Sequence, residues 1–126
     1  MIRSRSTSIS VVLTAIMFAM PTTKAVTQTV QSLVGLASYC SHSHQGRRMA
    51  NGEPFDDEKL TAASMTLPLG TRVKLTSLRT KRFVTVTITD RGPFAKKRII
   101  DLSIAAARSL GMIARGVDRV RIEPLP

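Results

Sequence analysis

The sequence predicts a mainly β protein, a compact barrel of short strands with crossed connections and one or two short helices. Residues 71–77 and 83–89 alternate apolar or β-branched side chains with polar ones, which is the period of two expected of half-buried strands. Long polar loops separate these short strands, which favours a barrel over a sandwich of long strands. Hydrophobic residues make up 43% of the chain and aromatic residues 4%, so aliphatic packing must dominate the core.

The remaining elements follow from local patterns. Strands are predicted at residues 35–39 and 117–123 and along the extended run that carries Asp101, and a polar hairpin connection is predicted between 78 and 82. A weaker helical turn is predicted around 57–63.

A short helix is predicted near the carboxyl end. Ser103 can accept backbone N–H bonds at its start, and Ile104, Ala107 and Leu110 recur on one face. Gly111 follows as a stop signal. The mature region therefore combines several strands with one clear helix.

The amino terminus is typical of an export signal. Arg3 and Arg5 supply positive charge, residues 9–20 are apolar, and Ala25 is a small residue at the expected cleavage point. The apolar run falls short of the roughly 20 residues that span a bilayer, and no lipid-attachment cysteine follows it closely. We therefore expect a soluble protein in the periplasm or secreted, with membrane contact only through the uncleaved signal peptide. The predicted divisions are a signal peptide at 1–25, a short segment at 26–34 and one domain at 35–126.

The chain is strongly basic, with a formal charge of +11. Such an excess favours anionic partners such as cell-wall polymers, phospholipid surfaces or nucleic acid. Export makes nucleic acid the least favoured of these, and we expect none to be bound. A solvated basic face that only maintains solubility explains the charge equally well.

Cys40 is the only cysteine, so no internal disulfide can form. His42 and His44 are close in sequence, which raises the alternatives of a Cys/His nucleophile pair and a metal site. Nothing nearby would orient the histidine as a base, and Cys-x-His-x-His lacks a fourth ligand. We therefore interpret the segment as a surface loop with incidental polar residues.

Three carboxylates are candidates for chemistry. Asp90 leaves a β-branched strand just before Gly92 and Pro93, Asp101 lies on the next extended run, and Glu53 lies in a polar loop. Residue patterns alone leave other roles open. Asp90 can cap a turn, Asp101 can bond backbone amides ahead of the helix, and Glu53 can be a solvated loop acid.

The chain resembles the rare lipoprotein A family over roughly residues 35 to 124. The matching motifs, in order, are residues 35–39, residues 46–56 with Ala50-Asn51-Gly52-Glu53, residues 61–71, Asp90-Arg91-Gly92-Pro93-Phe94, Ile100-Asp101-Leu102-Ser103 and residues 110–113.

The resemblance implies a six-stranded double-psi β-barrel that acts as a lytic transglycosylase on peptidoglycan glycan strands. Such an enzyme cleaves the MurNAc–GlcNAc bond and leaves 1,6-anhydro ends, and the chemistry calls for carboxyl groups in a cleft. We expect no cofactor and no metal, and a monomer. The implied catalytic residues are Asp90 and Glu53, and the implied substrate-binding residues are Tyr39, Asn51, Ser64, Arg91 and Asp101.

The sequence departs from the family pattern at Ser64. The family usually carries a histidine after Thr-Ala-Ala, whereas serine cannot titrate near neutral pH. A serine still donates one hydrogen bond, so we expect Ser64 to contribute to substrate placement. The alternative function is a non-catalytic peptidoglycan-binding barrel.

Overall fold

The computed structural model describes residues 10–20 and 32–126. Residues 10–20 are exposed and form no helix or strand, and the rest of the predicted signal peptide, with residues 26–31, lies outside the described residues. Within the described ranges, no helix is long and apolar enough to cross a membrane. The elements in chain order are β1 (Leu33–Tyr39), a 3-10 helix (His42–His44), β2 (Thr61–Ala63), β3 (Arg72–Ser77), β4 (Phe83–Asp90), β5 (Arg98–Leu102), α1 (Ile104–Leu110) and β6 (Val117–Pro124).

The six strands close into a barrel in the order β1-β5-β2-β4-β3-β6. The pairs β1·β5 and β2·β4 are parallel, and the other four pairs are antiparallel. Parallel neighbours require connections that cross the barrel, as predicted, and closure leaves no unpaired strand edge. The predicted six-stranded double-psi β-barrel is confirmed.

The core is aliphatic, because the strands alternate as the sequence predicted. Val73 and Leu75 of β3 and Val84, Val86 and Ile88 of β4 point inward. The polar residues between them, Lys74, Thr85 and Thr87, are partly exposed. The other core side chains are Ala37, Ala62, Ile100, Leu102, Ala106, Ala107, Leu110, Met112, Val120 and Ile122.

The carboxyl-terminal helix forms where it was predicted. Ser103 Oγ accepts a hydrogen bond from the Ala106 backbone N–H at 3.2 Å, which satisfies one of the free donors of the first turn. Gly111 ends the helix in the left-handed conformation, with φ 74°. The buried side chains of Ala106, Ala107 and Leu110 hold α1 against the core.

The predicted helical turn at 57–63 is wrong. Thr61–Ala63 forms the strand β2, all three residues are buried, and Leu60 stays 45% exposed. β2 lies between β4 and β5 and pairs with both strands. Hydrogen bonding to strands on both sides outweighs the weak local preference for a helix. A strand of three residues is too short to show the alternating pattern by which sequence analysis recognises strands.

Candidate active site in the barrel cleft

Four residues from four neighbouring strands form one row across the barrel wall. Ala63 of β2 is paired with Asp90 of β4 on one side and with Asp101 of β5 on the other, and Asp101 is paired with Ser38 of β1. Strands lie roughly 4.8 Å apart, so the backbones of Asp90 and Asp101 are separated by about 10 Å. The methyl group of Ala63 leaves the space between the two acids open.

A cavity of about 340 Å³ opens over this row, and we call it the acidic cleft. Both aspartates line it, and Phe94, 82% exposed, stands at its rim. The full lining comprises Ser38, Cys40, His44, Ala63, Asp90, Arg91, Gly92, Pro93, Phe94, Ala95, Arg98 and Asp101. The cleft therefore combines two acids with basic and aromatic side chains.

Asp90 offers one carboxylate oxygen for chemistry. Its Oδ1 accepts hydrogen bonds from the backbone N–H groups of Ala50, at 2.9 Å, and Arg91, at 2.8 Å. Among the described residues, Oδ2 has no hydrogen-bond partner, and no buried side-chain oxygen lacks one, so Oδ2 faces solvent. One oxygen fixes the side chain and the other is free to exchange a proton.

Asp101 is held at both oxygens. Ser38 Oγ donates to Oδ1 at 2.8 Å, and Cys40 Sγ donates to Oδ2 at 3.0 Å. Burial raises the pKa of the Cys40 thiol, and the hydrogen bond to Asp101 and the charges of Asp101 and Asp90 raise it further. The thiol therefore remains a hydrogen-bond donor and helps orient the Asp101 side chain.

Arg91 and Ser64 stabilise the loop beside the cleft. Arg91 lines the cleft, but its Nη1 donates to the carbonyl oxygens of Ser64, at 3.0 Å, and Leu67. Ser64 is 2% exposed, and its Oγ accepts from the backbone N–H groups of Thr66 and Leu67. Ser64 does not line the acidic cleft and instead borders a separate cavity.

The structure does not bring Glu53 and Asn51 into the acidic cleft. Both are exposed on the loop that Ala50 attaches to Asp90, and neither lines a cavity that contains Asp90. Asn51 Oδ1 accepts from the Glu53 backbone N–H at 3.0 Å, and its own N–H donates to the Thr89 carbonyl. Asn51 therefore shapes the loop, and the Glu53 carboxylate is solvated.

Tyr39 lies on the other face of β1 from Ser38 and Cys40. Its ring packs against the core, and its hydroxyl donates to the Ile113 carbonyl at 2.7 Å. Successive strand residues point to opposite faces, so the structure separates Tyr39 from the row that carries Asp101.

Among the described residues, neither histidine is hydrogen-bonded to Cys40. His42 Nδ1 contacts Asp57 Oδ2, and His44 Nδ1 accepts from Arg47 Nη1 at 3.1 Å. Within the described ranges, no three His, Cys, Asp or Glu side chains are grouped to hold a metal ion. His44 nevertheless lines the acidic cleft, where sequence reasoning had placed only a loop.

Sequence reasoning missed the contributions of Ser38, Cys40 and Ala63. Ser38 and Cys40 flank a core-facing residue on β1, and that alternation was a usable sign that both point away from the core. The pairing of Ala63 with both acids had no comparable sign, because it depends on strands distant in sequence.

The chain is similar to proteins named as peptidoglycan transglycosylases. The profile of the lytic transglycolase family matches residues 33–122. An endolytic peptidoglycan transglycosylase RlpA from Haemophilus influenzae is 48% identical over 91 residues, covering 72% of this chain and 32% of the relative. The protein of the same name from Campylobacter jejuni is 46% identical over 103 residues, covering 82% of this chain and 36% of the relative. The chain thus spans about a third of the length of these curated relatives.

Among solved structures, the Streptomyces papain inhibitor is similar in fold. The TM-score is 0.62 at 24% sequence identity, and the likeness covers 76% of this chain and 96% of that one. At this identity the likeness concerns the barrel alone.

Proposed function

This chain belongs to the lytic transglycolase family, and on that premise we propose that it is a peptidoglycan lytic transglycosylase. It would cleave the MurNAc–GlcNAc bond of glycan strands and leave 1,6-anhydro ends. The observation that carries the proposal is the row Asp90, Ala63 and Asp101, which sets two acids on either side of a small residue beneath one cleft. The relatives named as transglycosylases support the same reaction.

Asp90 is the proposed acid and base. Cleavage requires a proton on the leaving glycosidic oxygen, and Asp90 Oδ2 is the carboxylate oxygen available to deliver it. Asp90 Oδ2 then takes the proton of the muramic 6-hydroxyl group as the 6-oxygen of the sugar bonds to C1. The glycosidic bond breaks, the anhydro ring closes, and Asp90 regains its proton without water entering the reaction.

Asp101 is proposed to bind substrate by facing the positive charge that develops at the sugar ring. Its two oxygens are fixed by Ser38 and Cys40, so the carboxylate need not reorient as the charge forms. A carboxylate that is already oriented stabilises the positive charge of the transition state more strongly in a cleft than in water. Asp101 therefore complements the proton transfer by Asp90.

The remaining assignments rest on the family motif and on the sequence. Glu53 is proposed as the second catalytic carboxylate because it matches the family motif. The proposal rests on the motif alone, because Glu53 is exposed and no contact among the described residues ties its carboxylate to the cleft. The protein is proposed to act without cofactor or metal, as an exported monomer in the periplasm or secreted. Its partner is the glycan strand, and the basic charge of the chain suits that polyanion.

A non-catalytic peptidoglycan-binding barrel is the second candidate function. It is favoured by Ser64, which stands where the family usually has a histidine and whose hydroxyl already accepts two backbone hydrogen bonds. Such a residue cannot replace a titrating imidazole. The groove and its basic side chains would then bind the wall without cutting it.

Product analysis separates the two functions. We expect purified protein incubated with peptidoglycan to release fragments with anhydro-muramic ends, and Asp90→Asn to lower the rate by at least about a hundredfold. Release by the wild type that persists in Asp90→Asn would contradict the role of Asp90, and binding without release would favour the second function. An unchanged rate in Glu53→Gln would remove Glu53 from the catalytic set and leave the Asp90 assignment standing.

A further inference from the structure

A second cavity, of about 180 Å³, adjoins the acidic cleft and is basic on one side. The two cavities share Cys40, His44 and Asp90, and the second is completed by Arg47, Arg48 and Phe55. We call this second cavity the basic pocket. Asp90, the proposed catalytic acid, lines it, and Asp101 does not.

The arginines of the basic pocket lack acidic partners. Elsewhere Arg79 pairs with Asp118 and Arg108 with Glu58. In the described ranges, Arg47 and Arg48 pair with no carboxylate within 4.0 Å, although Asp90 lines the same cavity. Both arginines line the cavity without a carboxylate partner among the described residues, so their charge and remaining N–H donors are available to a ligand. Arg48 also borders a separate cavity beside Gly52.

Backbone contacts hold the loop that carries the two arginines. Arg47 and Phe55 are joined by a 2.7 Å backbone hydrogen bond, and Arg48 and Pro54 form an isolated β-bridge. Arg48 Nη1 donates to the Gly52 carbonyl at 3.2 Å. The buried ring of Phe55 forms one wall, and Arg47 and Arg48 are exposed beside it. Hydrogen bonds from a guanidinium group to a carboxylate are charge-assisted and stronger than neutral ones.

Arg47 also determines the tautomer of His44. A guanidinium group can only donate, so the 3.1 Å contact makes His44 Nδ1 the acceptor and places the ring proton on Nε2. His44 therefore adds an N–H donor to the guanidinium donors of Arg47 and Arg48. All three side chains suit an anion with several acceptor oxygens.

We propose that the basic pocket is a carboxylate subsite, in which Arg47, Arg48 and His44 bind a carboxylate of the glycan strand next to the bond at Asp90. This rests on the proposed function. Peptidoglycan offers such a group in two ways, as the lactyl carboxylate of muramic acid in stripped strands or as the carboxylates of stem peptides. Binding one of them would set the register of the strand in the acidic cleft.

The test measures binding of soluble glycan strands without turnover, with Asp90→Asn in every protein so that strands are not consumed. The subsite variant is Arg47→Gln with Arg48→Gln. The matched control is Arg119→Gln with Arg121→Gln, which removes the same charge from exposed positions of β6. Ligands are stripped strands, strands with stem peptides, and each of these after amidation of its carboxylates.

We expect the subsite variant to bind carboxylate-bearing strands about tenfold more weakly, the scale of one charge-assisted hydrogen bond at an exposed site. Amidated strands should bind the subsite variant and its parent alike, and the control should change little. Weaker binding of stripped strands only identifies the lactyl carboxylate as the ligand, and weaker binding of stem-peptide strands only identifies the peptide carboxylate. Weaker binding of both kinds of strand shows that either group binds.

Three results would overturn the subsite. They are an equal loss in the control variant, an equal loss with amidated strands, or no loss in a subsite variant that melts like its parent. In those cases glycan binding itself persists and the proposed function stands. If the parent protein binds none of the strands, the subsite and the proposed function both fail.

Discussion

Cys40 Sγ donates a 3.0 Å hydrogen bond to Asp101 Oδ2, linking the end of β1 to the parallel strand β5. Burial and the two neighbouring aspartates raise the pKa of the thiol, so the proton remains on sulfur. The lone cysteine thus acts as an orienting donor for a cleft acid rather than as a nucleophile. That role predicts a pH dependence.

The first prediction concerns stability in alkali. A group whose pKa is higher in the folded state stabilises the fold fully below its unfolded pKa, and this stabilisation is lost as pH rises above that value. The free energy of unfolding should therefore fall as pH rises above about 8.5, the ordinary range of a thiol. Cys40→Ser keeps a hydrogen-bond donor that does not titrate in this range, so the free energy of unfolding of this variant should fall less steeply with pH.

Urea unfolding of both proteins between pH 7 and pH 10.5 measures this difference. Other groups that titrate in alkali contribute equally to both curves and cancel in the comparison. Parallel curves for the wild type and Cys40→Ser would contradict the assigned role of the thiol.

The second prediction concerns Phe94 at the rim of the acidic cleft. Its ring is 82% exposed, and Gly92 has no side chain to separate the ring from the cleft floor. If the cleft binds sugars as proposed, the exposed ring offers them an apolar face. Phe94→Ala should weaken glycan binding about fivefold, which corresponds to about 1 kcal/mol.

Phe83→Ala is the matched control, since Phe83 is 64% exposed and its ring lies under the Lys74 ammonium group rather than at the cleft. Binding can be followed by co-sedimentation with purified peptidoglycan. A similar loss in both variants would mean that general surface hydrophobicity, and not Phe94, is responsible.

The third prediction concerns Ser64 as a structural residue. Its buried hydroxyl accepts the backbone N–H groups of Thr66 and Leu67, which would otherwise lack this partner. Ser64→Ala should lower the free energy of unfolding by about 1–2 kcal/mol. Ser43→Ala, at an exposed position where the hydroxyl contacts the Ser41 hydroxyl, should cost much less. Equal stability of the two variants in urea titrations would argue against the capping role.

The fourth prediction concerns the close approach of β1 and β5. A Cβ added at Gly35 would lie 2.6 Å from Ile99 Cδ1 and 2.8 Å from Ile99 Cγ1. Gly35→Ala should therefore destabilise the barrel by about 1–3 kcal/mol through overpacking. In a Gly35→Ala/Ile99→Ala double variant the clash is absent, so the two changes should cost less together than their sum. Additive costs in a double-mutant cycle would show that the contact is not the cause.

The local elements were accessible from the sequence because each has a short-range cause. Alternation predicted β3 and β4, and Ser103 with Gly111 predicted both ends of α1. Of the predicted site, Asp90, Asp101 and Arg91 line one cleft, whereas Glu53, Asn51, Ser64 and Tyr39 do not. Motif spacing identifies the residues that a family shares, but it does not tell which side of a strand a side chain faces. That direction depends on the register of the strand.

The sequence by itself determined the aliphatic β-rich character, the capped helix and the presence of the family motifs, since these depend on neighbouring residues. Only the tertiary structure decided that β2 is a strand, that Ala63 separates Asp90 from Asp101, and that Cys40 donates to Asp101. The physical reason is that these strand pairs join segments that are distant in the chain. Contacts of that kind leave no periodic pattern in either segment alone.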